Sequence, residues 1–170
     1  MTRQLLILRH AKSAWDTDVA TDFDRPLGKR GKKDAPRVGN WLRQQRLIPD
    51  YVLSSPAKRA KKTAIKVCQA LHMEKHQINW DLRIYEAPTG RLLEALADCP
   101  ATAKRVLLVG HNPGLEMLLE FLCETLPDSQ DGKLLPTATV AHLEMPDVWS
   151  QLGAGAARLI SLTRPSALPE

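Results

Sequence analysis

Two uninterrupted apolar stretches stand out along the chain, Leu5-Leu6-Ile7-Leu8 and Val106-Leu107-Leu108-Val109, and each runs into a histidine, through Arg9-His10 and Gly110-His111. Strands that cover one face of a sheet alternate in polarity, whereas continuous Leu/Ile/Val runs suit strands buried on both faces of a parallel sheet. Residues 4–8 and 105–110 are therefore predicted as central strands. Residues 51–53 give another short strand, and Ile78, Trp80 and Leu82 alternate as a strand should. Residues 140–145 and 158–162, joined by a Gly-containing segment, read as final strands on an antiparallel edge.

Between these runs the apolar period changes to that of helices. Ala35, Val38, Trp41 and Leu42 share one side of a helix over about 33–46, with Pro36 blurring its start. Ser55 and Pro56 suit the cap and first position of a second helix reaching about Leu71. Its apolar face is Ala57, Ala60, Ala64, Val67, Cys68 and Leu71, leaving Lys58, Lys61, Lys62 and Lys66 to solvent. Residues 91–97 look helical. Asn112 and Pro113 open a last helix whose stripe is Leu115, Leu118, Leu119, Leu122 and Leu126, opposite Glu116, Glu120 and Glu124. Residues 12–31, rich in Asp, Arg, Lys and Gly, form a long functional loop.

Alternating strands and helices, with no repeat or linker, predict one α/β domain spanning 1–170. It is a three-layer α/β/α sandwich with a mostly parallel central sheet and an antiparallel edge. Right-handed crossovers put the carboxyl ends of strands 4–8 and 105–110 on one sheet edge, where ligands bind in such folds. Arg9-His10 and His111 then face one crevice.

The 170 residues, 44% hydrophobic and 25% charged, exclude a disordered or fibrous chain. That length buries roughly 70% of the unfolded chain's surface without disulfide or metal staples. Cys68, Cys99 and Cys123 form no CxxC pair and are expected as buried small hydrophobes in a reducing compartment. The short Leu5–Leu8 run is no signal-peptide core, and no stretch approaches the roughly 20 apolar residues of a membrane span, so a cytoplasmic protein without a membrane partner is expected.

The net charge of +5 hides an asymmetry: residues 1–66 hold 16 basic and 6 acidic side chains, the remainder 8 and 13. An electropositive first third points to an anionic partner or simply to a solvated basic face. A nucleic acid is not expected around Lys58, Arg59, Lys61 and Lys62, because aromatic residues make up only 5% of the chain and no stacking platform is evident. Trp15 is expected to line the site, with Trp41 and Trp80 in the core. His72, His76 and His142 are read as ordinary core or surface residues. His72 and His76 have the i, i+4 spacing of metal ligands but no third ligand, so no metal is expected.

Two histidines leaving buried strands, with Arg9 beside one and Arg59 at a helix start, suit a phosphoryl group. Arginines clamp its oxygens with charge-assisted hydrogen bonds, Asn112 and the following helix N-terminus add donors, and an imidazole can attack phosphorus. In that arrangement the arginines do what magnesium does elsewhere, and no cofactor is needed.

Four ordered segments carry a resemblance to a known family. They are Leu8-Arg9-His10-Ala11-Lys12-Ser13-Ala14-Trp15-Asp16, Arg25-Pro26-Leu27-Gly28-Lys29-Arg30-Gly31, Ser54-Ser55-Pro56-Ala57-Lys58-Arg59-Ala60-Lys61-Lys62-Thr63 and Gly110-His111-Asn112-Pro113-Gly114. Together they resemble the histidine phosphatase superfamily, with its phosphoglycerate mutase-like fold, and within it the SixA-type phosphohistidine phosphatases. The resemblance implies that His10 attacks phosphorus in line and carries the phosphoryl as phosphohistidine. Arg9, Arg59 and His111 would bind its oxygens before water releases phosphate, with Ser13, Asp16 and Asn112 as further phosphate contacts.

Two positions depart from the family pattern. Ala11 replaces a glycine, and Ile84 stands where many relatives place a glutamate, leaving Glu86 as the nearest acid. An alkoxide leaving group needs a proton that a protonated phosphoramidate does not, so a phosphohistidine-bearing protein is the expected substrate. The alternatives are a small-molecule phosphomonoester phosphatase or mutase of the same superfamily, and a non-enzymatic module that binds phosphoproteins. A monomer or weak dimer is expected.

Overall fold

The computed structural model describes residues 2–129 and 131–169. One six-stranded sheet runs in the order β3-β2-β4-β1-β5-β6. Its strands are β1 (Arg3–Arg9), β2 (Tyr51–Ser54), β3 (Ile78–Trp80), β4 (Arg105–Gly110), β5 (Val140–Met145) and β6 (Arg158–Thr163). The first four in spatial order are parallel; β5 pairs antiparallel with β1, and β6 with β5. The expected antiparallel edge is therefore present.

The helices are α1 (Lys29–Gln44), α2 (Lys58–Ala70), α3 (Thr89–Ala97) and α4 (Gly114–Leu122). Successive strand residues point to opposite faces, so β1 divides its four fully buried apolar residues between two cores. Leu5 and Ile7 join α3 and α4 on one side, and Leu6 and Leu8 join α1 and α2 on the other. This is the three-layer arrangement of the phosphoglycerate mutase-like fold. Among the described residues no helix is long and apolar enough to cross a membrane.

Several element ends differ from the sequence-based expectation. Helix α1 starts at Lys29, not 33, and passes through Pro36, because burial of Ala35, Val38 and Leu42 outweighs the lost hydrogen bond. Helix α2 starts at Lys58 without a side-chain cap: the Ser55 hydroxyl instead accepts from the Ala57 N–H and faces His111. Leu82 leaves the strand pattern for a 3-10 turn, Leu82–Ile84, whose entry Asp81 caps. Helix α4 stops at Leu122, short of Leu126, because Cys123 turns into extended chain that bridges to Ala157.

Two helices end on non-glycine residues in the left-handed region. Arg46 and His72 have φ of 58° and 61°, and the next residues, Leu47 and Met73, donate back to the Leu42 and Cys68 carbonyls. His72 thus lies beyond α2 and His76 in a 3-10 turn, so their spacing is not that of one helix face. Helices α1 and α2 approach closely at Gly39, where a Cβ would lie 2.5 Å from the Val67 carbonyl oxygen. Trp41 and Trp80 are only partly buried; the buried tryptophan is Trp149, whose indole N–H donates to the Ala103 carbonyl. All three cysteines are buried, and burial pushes the Cys68 and Cys99 thiols up to about 12.

Candidate active site

The parallel pairing of β1 with β4 sets Arg9 beside Gly110, so the next residues, His10 and His111, leave the same sheet edge together. The ladder continues past the strands, with His10 N–H donating to the Gly110 carbonyl and Ser55 N–H to the Val109 carbonyl. These bonds bring the ends of β1, β4 and β2 to one point. The two imidazole centroids are 5.2 Å apart.

His10 is buried, and its Nδ1 lies 2.7 Å from the Ala11 carbonyl oxygen. A carbonyl only accepts, so Nδ1 carries the proton and Nε2 keeps the free lone pair. The Cβ of Ala11 sits in the apolar core, and its N–H donates to Thr63 Oγ1, whose hydroxyl donates to the Arg59 carbonyl. The departure from glycine is thus absorbed by packing. His111 Nε2 lies 2.8 Å from Ser55 Oγ, and the Tyr85 ring meets the imidazole edge-on at 5.4 Å.

Burial, with the charges of His111, Arg59 and Arg9 as smaller contributions, pushes His10 down to about 3 despite the hydrogen bond to the Ala11 carbonyl. Burial and Arg59 push His111 down to about 4, Asp22 opposing. Both imidazoles are neutral at physiological pH.

Arg59, the second residue of α2, is buried and donates from Nη1 to the Asp22 carbonyl (2.7 Å) and from Nη2 to Asp22 Oδ2 (2.9 Å). Arg9 Nη1 donates to the Leu135 carbonyl. The buried atoms Arg9 Nε, Arg59 Nε and His111 Nδ1 have no protein partner. Buried polar atoms rarely go unpaired, so such a group on residues that line one cleft with His10 suits oxygens brought by a ligand. The cleft has a volume of about 660 Å³, and its walls include His10, Arg59, Tyr85, Glu86, His111 and Met117.

Asp22 organises one wall and was not anticipated from sequence. Its carboxylate accepts from Arg25 Nε (3.0 Å), Arg59 Nη2 and the Tyr85 hydroxyl (2.7 Å). Burial raises its pKa, but hydrogen bonds from Tyr85, Arg25 and Arg59 hold it well below the usual carboxylate range. Burial and the bond to Asp22 push Tyr85 up to about 12.

The remaining expected residues divide. Glu86 stands at the cleft wall, exposed, with a φ of 51°. Ser13 is buried and is not among the cleft-lining residues; its Oγ accepts from Arg25 Nη1 at 2.7 Å, so it positions Arg25. Asp16 is exposed and is not among the cleft-lining residues. Asn112 lines the cleft, but its amide donors go to Glu116 and the Leu135 carbonyl, leaving Oδ1 unpaired. Its side chain therefore anchors the loop and does not donate to a phosphate. Trp15 lines the cleft with its ring 3.6 Å from the Arg25 guanidinium carbon. His142 pairs with Gln4 on the sheet, away from the cleft.

The family model for the histidine phosphatase superfamily (branch 1) matches residues 5–86, the segment that supplies Arg9, His10, Arg59 and Glu86. An uncharacterized protein of Mycobacterium tuberculosis (strain H37Rv) is 30% identical over 166 residues, covering 93% of this chain and 99% of its own. The chain belongs to the histidine phosphatase superfamily. Among solved structures, a protein of Nakamurella multipartitia provisionally assigned as the phosphohistidine phosphatase SixA superposes with a TM-score of 0.82 at 27% identity, covering 97% of both chains. The same fold extends, at 17% identity and a TM-score of 0.68, to a mycobacterial glucosyl-3-phosphoglycerate phosphatase, covering 94% of this chain and 98% of that one. This histidine phosphatase thus shares its fold with proteins named for phosphohistidine and for a phosphorylated small molecule.

Proposed function

We propose that residues 1–170 act as one catalytic domain that removes the phosphoryl group from phosphohistidine on a protein, through a covalent intermediate on His10. The free Nε2 of His10, in one cleft with Arg9, Arg59 and His111, carries this reading. The Nε2 lone pair forms the new N–P bond as the P–N bond to the substrate imidazole breaks. Arg9, Arg59 and His111 hold the equatorial oxygens, where the transferring group spreads its negative charge. Water then attacks the phosphohistidine, phosphate leaves, and His10 regains its neutral form. In this reading Glu86, which lines the cleft, takes the proton of that water.

Two observations support a protein substrate. Trp15 and Met117 are 73% and 50% exposed on the cleft wall, and such apolar surface suits a docked protein. A phosphoramidate with a protonated imidazole also leaves without an enzyme acid, in keeping with Ile84 at the position where relatives carry glutamate. Glu86 in the cleft favours the second reading, a small phosphomonoester with Glu86 as general acid.

The deciding experiment measures phosphate release from a phosphohistidine-bearing carrier protein and from a simple alkyl phosphate, with chelator present, for wild type and His10→Ala. Release from the carrier that vanishes in the mutant is expected. Release from the ester alone selects the small-molecule reading, and release from neither, with phosphoprotein binding retained in His10→Ala, selects a binding module.

A further inference from the structure

A second concavity of about 480 Å³ lies beside the cleft and is lined by Pro26, Leu27, Lys32, Lys58, Lys62 and Lys66, with no carboxylate among them. It adjoins the active site through two chain continuities. Lys58 precedes Arg59 at the start of α2, and Pro26 follows Arg25 in the loop that Asp22 ties to Arg59. Lys58, Lys62 and Lys66 recur every four residues along α2, so their stems run for about 12 Å away from Arg59 on one helix face. Among the described residues none of these four lysines has an ion-pair partner.

We propose that this lysine groove docks an acidic segment of the protein that carries the phosphoryl group, a reading that rests on the proposed function. Charges at steps of about 6 Å exceed the reach of one phosphate and match carboxylates on one face of a helix. Unpaired ammonium groups around a groove exert a field that steers such a partner and orients it once bound. A nucleic acid fits less well. No aromatic residue lines the groove, and the nearby Trp15 and Trp80 already have cations over their rings, from Arg25 and Lys61.

The test compares wild type with Lys62→Glu/Lys66→Glu and with Lys62→Gln/Lys66→Gln, which check that folding survives. One arm reads KM and kcat on a phosphohistidine carrier protein with an acidic face, beside turnover of a small phosphoramidate. The other reads anisotropy of a labelled helical peptide with glutamate at every fourth position, at low and high salt. The expected result is a KM for the carrier raised by about tenfold or more in the Glu variant and less in the Gln variant. Turnover of the small phosphoramidate is unchanged, and peptide binding is weakened by salt and lost in the Glu variant. Wild-type KM in the Glu variant, absence of peptide binding to wild type, or tighter binding of single-stranded DNA than of peptide overturns the proposal. If wild type hydrolyses only small esters, the substrate reading fails on its own, and the peptide arm still decides the groove.

Discussion

A ring proton settles where its acceptor is, and for His10 the acceptor is the Ala11 carbonyl, which leaves Nε2 bare at any pH where the ring is neutral. With His10 held down to about 3 and His111 to about 4, that range extends well below neutrality. From pH 7 to 5, kcat/KM corrected for substrate ionisation is therefore expected to stay flat on their account. An unshifted imidazole would lose more than about tenfold of its neutral form by pH 5. The stability effect follows the same shifts. A histidine whose folded pKa lies below its unfolded value of about 6.5 leaves the unfolded state holding more protons, so stability is full above pH 6.5 and falls as pH drops toward 4. The slope approaches about 1.4 kcal/mol per pH unit for each buried histidine. Urea unfolding at pH 7, 6 and 5 checks this, with His10→Asn expected to flatten the slope. Asp22 supplies the second prediction at this scale, because it holds Arg25, Arg59 and Tyr85 at once. Asp22→Asn is expected to raise KM for a small phosphoramidate more than it lowers kcat, as the arginines lose their fixed aim. Sequence made Arg9, His10, Arg59 and His111 legible because each sits at a strand end or helix start. It hid Asp22, one of four loop carboxylates (Asp16, Asp18, Asp22, Asp24) that no periodicity separates.

Periodicity placed all six strands and four helices, since buried apolar residues set both; their ends were less visible, since ends depend on where single polar groups find partners. Ser55 shows why. In sequence it reads as a helix cap, but folding sets its hydroxyl 2.8 Å from His111 Nε2, and α2 begins three residues later. Similarly, Arg46 and His72 end helices in a conformation usually given to glycine, so no glycine marked those ends. Gly39 is informative in the opposite sense, lying inside α1 where glycine costs about 1 kcal/mol relative to alanine. Its reason is the close approach to α2, where an added Cβ would lie 2.5 Å from the Val67 carbonyl oxygen and 2.6 Å from the Ala70 Cβ. Gly39→Ala is therefore expected to destabilise by about 1–3 kcal/mol, despite its better helix propensity. Denaturant unfolding reads this directly. Because α2 carries Arg59, a lower kcat/KM should accompany the loss, whereas an alanine that stabilised the protein would show that the helices separate without strain.

The cleft brings together residues as far apart in the chain as Arg9 and Met117. Residues 135–139, some 125 positions beyond His10, brace the end of β1: Ala138 N–H donates to the Arg9 and His10 carbonyls, and the Thr139 carbonyl accepts from Arg9 N–H. The Leu135 carbonyl accepts from both Arg9 and Asn112. Residues 5–86 carry the matched family pattern, yet the walls of the cleft come from both halves of the chain. An anion bound between Arg9, Arg59 and His111 would therefore draw together segments far apart in sequence, while relieving the mutual repulsion of the two arginines. Binding to the folded state alone raises stability by mass action, about 2.7 kcal/mol when the anion stands at 100 times its dissociation constant. Inorganic phosphate is accordingly expected to raise the unfolding temperature, with most of the shift lost in Arg59→Ala. In hydrogen exchange it should slow the amides of residues 135–139 as well as those of residues 10–13 and 111–114. Protection confined to residues 10–13 would show that residues 135–139 do not respond to the bound anion. Protection of all three would show that phosphate engages the whole ring of contacts around His10.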